Sequence, residues 1–165
     1  MHTINEDYYG IKELLTDEQN LLLESARSWV SEQVKPIIEQ CAEENSCPLQ
    51  LYPEMGAMGF LGPTTAEQYG AAGLDDISYG LIMQELERGD SGIRSMASVQ
   101  GSLVMYPIER YGSEAQKNKF LPGLASGELI GCFGLTEPDH GSDPQSMITR
   151  LSKDGDHYIL NGAKM

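Results

Sequence analysis

Residues 131–146 read GCFGLTEPDHGSDPQS. The stretch begins apolar, with Cys132, Phe133 and Leu135. It turns abruptly polar through Thr136, Glu137, Asp139, His140, Ser142 and Asp143, with Pro138 and Pro144 stiffening the backbone. A connection between regular elements takes about two to six residues, and this one spends roughly nine. The signals before it are helical and those after it have a period of two. The reading of this seam therefore decides the fold.

Upstream, residues 16–44 read as a helix. Thr16 and Gln19 form a capping box, Asp17 and Glu18 suit the first turn, and Leu22, Ala26, Trp29 and Val30 recur at helical spacing. Pro36 is expected to kink or break it into two pieces. A short helix over 49–58 ends at Gly59. The Gly-, Pro- and Thr-rich segment 61–76 is a loop. Asp75 or Asp76 then caps a helix over 77–88, with Ile77, Leu81, Ile82 and Leu86 on one face. GDSG, residues 89–92, breaks this helix and recaps the chain through Asp90 or Ser91, giving a further helix from Ile93 to Met105. Ser113 and Gln116 make a second capping box for a helix over 114–121 that stops before Pro122.

Downstream, LIGCFGL is a short apolar run rich in strand formers. MITRLSKDGDHYILNG reads as a hairpin turning on KDGD. The expected class is mainly α: a helical domain over 1–128, then the first strands of a β domain over 129–165. Two or three strands are marginal alone, so the chain is expected to end early within that β domain.

Hydrophobic residues at 40% and charged residues at 22% are globular values, and no run approaches the ~20 apolar residues of a membrane span. The acidic start, MHTINEDYYGIKEL, lacks the apolar core of a targeting peptide. A net charge of −14 argues against phosphate-backbone binding, which needs a basic face. Cys41, Cys47 and Cys132 form no CxxC pair, and three scattered histidines offer no metal-ligand spacing. Cys41 and Cys47 read as small packing residues; Met83, Met96 and Met105 as helix core; Trp29 and the tyrosines of EDYYG as core and surface anchors. His140 is assigned no role.

By residue types alone, TEPDHGSDP also suits a solvated turn loop capped by its own Asp side chains. Taken whole, GCFGLTEPDHGSDPQSM closely resembles the flavin-binding signature of acyl-CoA dehydrogenases. The resemblance runs from about Leu14 to the end of the chain. It is closest to the family's glutaryl-CoA members through ELERGDSGIRS (85–95), SVQGSLVMYPI and YGSEAQKNKFLPGLASGELIGCFGLTEP. It implies an FAD cofactor. Backbone at Phe133 and Leu135 and the Thr136 hydroxyl would contact the isoalloxazine, donors along that edge stabilising the reduced ring. Gly141 would let the backbone approach the cofactor, and Ser142 would lie near the cofactor phosphates and the acyl-CoA.

Glu87 and Arg94 stand on either side of GDSG, one in the last turn of a helix and one in the first turn of the next. Both placements oppose the helix dipole. One reading is mutual compensation, with Arg94 bridged to Glu87 or Asp90. The other comes from the resemblance: Arg94 receives the distal carboxylate of glutaryl-CoA, with Ser95 and Ser98 nearby and Glu87 at the acyl end. A guanidinium matches a carboxylate in a two-pronged fashion.

The implied reaction removes a Cα proton with a carboxylate base and passes hydride from Cβ to flavin N5. CO₂ is then lost, leaving crotonyl-CoA. The family's base lies in a C-terminal helical domain expected to be absent here, so no catalytic residue is assigned and the chain alone is expected to be inactive. The resemblance further implies electron-transferring flavoprotein as electron acceptor, a homotetramer, and a place in lysine and tryptophan degradation. It implies the cytoplasm of a prokaryote, or the mitochondrial matrix of a eukaryote. Alternatives are a dehydrogenase or oxidase of another short or dicarboxylic acyl-CoA, a nondecarboxylating glutaryl-CoA enzyme, and a stand-alone helical binding module with a vestigial flavin loop.

Overall fold

The computed structural model describes Asp7 and residues 9–165. The reading of residues 1–14 as free of a targeting signal falls partly on residues 1–6 and Tyr8, which lie outside the described residues, as does the anchor role given to Tyr8. The chain divides into two compact units, Met1–Gly131 and Cys132–Met165.

The first unit is helical. Helix α1 spans Asp17–Trp29 and α2 spans Lys35–Glu43, joined without a break by a π-helical turn over Val30–Val34. The α1 capping box forms: Gln19 N–H donates to Thr16 Oγ1 at 3.2 Å and Thr16 N–H to Gln19 Oε1 at 3.1 Å. Helix α3 covers Leu51–Ala57, α4 covers Asp76–Gly89 and α5 covers Ser91–Ser98. A second π-helical turn over Val99–Met105 leads into α6, Tyr106–Tyr111, and α7 follows over Glu114–Ser126.

Both π turns end just before a proline in the first turn of the next helix. Lys35 N–H bonds back to Val30 O and Tyr106 N–H to Gly101 O, five residues upstream in each case. Proline has no N–H and its ring crowds the carbonyl four residues earlier. One widened turn ahead of Pro36 and Pro107 lets the helix pass instead of stopping. The helix expected to end at Met105 therefore continues to Tyr111.

Pro122 is the second departure, since α7 runs through it to Ser126. Asn118, whose carbonyl loses its donor, is exposed, while Leu121, Leu124 and Ala125 are buried. Burial of that face holds the last turn in helical form. The helix stops at Gly127, whose φ of 77° is a left-handed cap.

Helix α1 packs on α4, α4 on α5, and α7 on α3 and α6. The main core joins Val30, Val34, Met55, Phe60, Ile82, Leu86, Ile93 and Ala97, with Trp29 edge-on to Phe60 at 5.7 Å. A second cluster joins Tyr69, Met105, Leu121, Leu124 and Ala125. Ile77, expected on the core face of α4, is exposed. Glu85 takes a place in the interior, 0% exposed beside Ile82 and Leu86. Cys47, expected to pack, is exposed, with its thiol 3.7 Å from Met96 Sδ.

The second unit holds one antiparallel hairpin, β1 Arg150–Asp154 with β2 His157–Asn161, in the register Leu151↔Leu160 and Asp154↔His157. Gly155, at φ 58°, turns it. Residues 129–135, expected as a strand, join no ladder.

Candidate functional site

Asp90 makes the corner that brings Glu87 to Arg94. Its extended backbone ends α4 through Asp90 N–H to Leu86 O, at 2.9 Å, and its carboxylate starts α5 by accepting from Ile93 N–H at 3.0 Å. One aspartate thus serves both helices. Glu87 faces Arg94 across it: Arg94 Nε donates to Glu87 Oε2 at 2.8 Å and Nη1 donates to Ser98 Oγ at 3.2 Å. Ser91 Oγ donates to the other Glu87 oxygen. The Glu87 carboxyl lies below its ordinary pKa, held there first by the Arg94 guanidinium and then by the Ser91 hydroxyl.

Mutual compensation across the corner is thus present. It consumes Nε and part of Nη1, and Nη2 donates to no other group among the described residues. The Arg94 side chain is about a third exposed. Ser95 joins only through its carbonyl, which accepts from Ser98 Oγ.

Beneath the corner lies a carboxylate that sequence reading missed. Glu85 accepts from Arg27 Nη2 at 2.7 Å and from Arg88 Nε, while Arg88 Nη2 reaches Arg27 O at 3.0 Å. Burial pushes the Glu85 carboxyl up, and the hydrogen bonds and charges of the two arginines outweigh it, so its pKa falls below the ordinary value. This triad ties the last turn of α4 to α1, two residues before Glu87.

In the second unit, Phe133, Leu135, Thr136, Gly141 and Ser142 are all exposed. The backbone N–H groups of Phe133, Leu135 and Thr136 donate to nothing among the described residues, and neither does the Thr136 hydroxyl. A Cβ built on Gly141 would meet nothing within 4 Å, so no protein neighbour demands glycine there. These unused donors and the open space at Gly141 leave the loop's polar groups free to meet a ligand.

Glu137 is what the long loop holds. It is 2% exposed and accepts from Ile148 N–H at 2.8 Å, Thr149 N–H at 2.9 Å and Lys164 Nζ at 3.1 Å. Its backbone pairs with His140 in both directions. The nearby Thr149 hydroxyl is the largest influence on its pKa, although that buried oxygen makes no hydrogen bond of good geometry. With the two backbone amides and Lys164, it holds the carboxyl at about 2, against an ordinary 4.5. A depressed carboxyl stabilises the fold fully above its unfolded pKa and loses that contribution as pH falls through the folded value. Protection of the Ile148 and Thr149 amides against hydrogen exchange should therefore weaken progressively below pH 4.5 and be lost near pH 2. In Glu137→Gln, protection should be low throughout, without that pH dependence. Equal protection in the two proteins across the range would contradict the anchor role.

Residues 16–128 match the family model described as Acyl-CoA dehydrogenase, N-terminal domain. The chain belongs to the acyl-CoA dehydrogenase family. Enzymes of this family use FAD. A glutaryl-CoA dehydrogenase structure from Mycobacterium smegmatis is 50% identical with a TM-score of 0.91, covering 94% of this chain and 40% of that one. A second, described as a complex with FADH2, is 49% identical with a TM-score of 0.92, covering 95% and 40%. An acyl-CoA dehydrogenase of Bacillus subtilis is 38% identical over 151 residues, which are 92% of this chain and 40% of the relative. The chain thus spans about 40% of the length of the relatives it matches. No helix among the described residues is long and apolar enough to cross a membrane.

Proposed function

We propose that the chain is the N-terminal portion of a flavin-dependent glutaryl-CoA dehydrogenase. It comprises a helical domain over residues 1–128 and the start of a β domain over 129–165. The observation that carries the substrate assignment is Arg94, fixed through Nε by Glu87 and through Nη1 by Ser98 with Nη2 uncommitted. A simple fatty acyl group gives such a cation nothing to bind. A dicarboxylic acyl thioester brings a carboxylate that matches it.

Glu87 and Ser98 restrain the guanidinium before substrate arrives, so less side-chain entropy is lost on binding. Phe133 and Leu135 offer backbone donors, Thr136 a hydroxyl, and Gly141 room for close approach to the flavin. Ser142 serves the phosphates and the acyl-CoA. FAD, when bound, supplies the acceptor for the hydride that leaves Cβ. Similarity to the M. smegmatis enzymes supports the glutaryl assignment, while similarity to the B. subtilis enzyme supports the class alone. The same reading makes the full-length protein a homotetramer that passes electrons to electron-transferring flavoprotein. It places the protein in lysine and tryptophan degradation, in a prokaryotic cytoplasm or a mitochondrial matrix.

The test is product analysis on the full-length protein supplied with FAD and an artificial electron acceptor. Glutaryl-CoA should yield crotonyl-CoA and CO₂ in equal amounts. Glutaconyl-CoA without CO₂ would mark a nondecarboxylating enzyme. No product at all from glutaryl-CoA would sink the assignment.

A further inference from the structure

Lys164 grips the segment that carries the proposed flavin donors. Its Nζ donates to Leu135 O at 2.8 Å and to Glu137 Oε1 at 3.1 Å, and the next residue's N–H donates to Thr136 O at 2.9 Å. Its aliphatic stem lies beside Gly134, where a built Cβ would sit 3.7 Å from Lys164 Cγ. The carbonyls of Leu135 and Thr136 and the Glu137 carboxylate are therefore all held by residues 164–165. The N–H groups of Leu135 and Thr136 donate to nothing among the described residues.

From this division of acceptors and donors we infer that Lys164 is a positioning residue, aiming the Leu135–Thr136 amides and the Thr136 hydroxyl at the flavin. The inference rests on the flavin reading above. The Lys164 side chain is 28% exposed against 2% for that of Glu137, so the pair is sheltered on one side. Two anchors flanking Thr136 restrict its rotation more than either would alone. Misaimed donors would cost the reduced flavin more than the oxidised one, because negative charge develops on the ring edge only on reduction.

The experiment compares full-length wild type with Lys164→Gln and Lys164→Arg. In Lys164→Gln, the rate of flavin bleaching by substrate should fall about tenfold, and the midpoint potential of the bound flavin should drop by about 30 mV, the equivalent of tenfold for a two-electron couple. The KM for acyl-CoA should stay within about twofold of wild type. Lys164→Arg keeps the charge and the donors and should restore most of both losses. In the flavin-free protein, the Ile148, Thr149 and Met165 amides should exchange faster in Lys164→Gln than in wild type. Unchanged potential and bleaching rate, with only a lowered melting temperature, would overturn the inference by leaving a structural role. A wild-type protein that takes up no flavin would overturn the flavin reading. The exchange comparison then decides on the grip itself, and unchanged exchange would overturn it.

Discussion

Replacing Arg94 by glutamine in the full-length protein should harm glutaryl-CoA selectively. The guanidinium is already bound to Glu87 and Ser98, so a distal carboxylate adds a further charge-assisted contact to a cation held in place. The cation is partly exposed and partly neutralised by Glu87, which keeps the contribution to about 1.5–3 kcal/mol, or roughly 10- to 150-fold in kcat/KM. Butyryl-CoA and valeryl-CoA make no such contact and should lose far less. The quantity to measure is a ratio of ratios: glutaryl-CoA against valeryl-CoA, wild type against variant. If Arg94 served only the corner ion pair, both substrates would decline together with the melting temperature.

Removal of Glu85 should have the largest effect on folding. Glu85→Ala leaves Arg27 and Arg88 converging on a buried site without their shared carboxylate. Breaking a fully buried ion pair costs about 3–5 kcal/mol. Arg27 is 44% exposed and Arg88 27%, so both can recover some hydration, and a loss of about 2–4 kcal/mol is expected. The shift in denaturation midpoint of the full-length protein reads this directly. Arg27→Ala should cost less, since Arg88 remains on the carboxylate. A stability for Glu85→Ala within about 0.5 kcal/mol of wild type would contradict a stabilising role for the triad.

The parts of the fold set by local rules were legible in the sequence. Thr16–Gln19 and Ser113–Gln116 form capping boxes because both partners lie within one turn. Asp90 recaps the chain because its side chain reaches a backbone amide three residues on. KDGD turns the hairpin because Gly155 accepts a left-handed φ. The parts settled by distant partners were not. Glu85 is buried because two arginines, one 58 residues away, neutralise it, while Ile77 of the expected core face is exposed. Gln100 is buried because its amide meets Leu124 O, Leu129 O and Gly131 N–H, fastening the end of α7 and the segment after it. No periodicity marks such a residue.

The site divides the same way. Arg94 and Glu87 could be paired from their spacing and opposed dipoles, and they are paired. Thr136 and Gly141 were singled out only through the signature as a whole. Glu137 and Lys164 lie 27 residues apart, and their pairing depends on the hairpin between them, which returns the chain to the loop. Helix propensity likewise expected α7 to stop at Pro122 and the first helix to kink or break at Pro36, because it weighs the lost N–H but not the buried face or the π turn that offsets it.

Anaerobic stopped-flow bleaching of the full-length protein's flavin distinguishes an acyl site built for a terminal carboxylate from one built for a plain fatty acyl chain. Glutaryl-CoA and butyryl-CoA are mixed separately with the holoenzyme at matched, limiting concentrations. Glutaryl-CoA should bleach the flavin faster, by at least about tenfold, from the added contact at Arg94. Bleaching by butyryl-CoA that equals or exceeds that by glutaryl-CoA would contradict it.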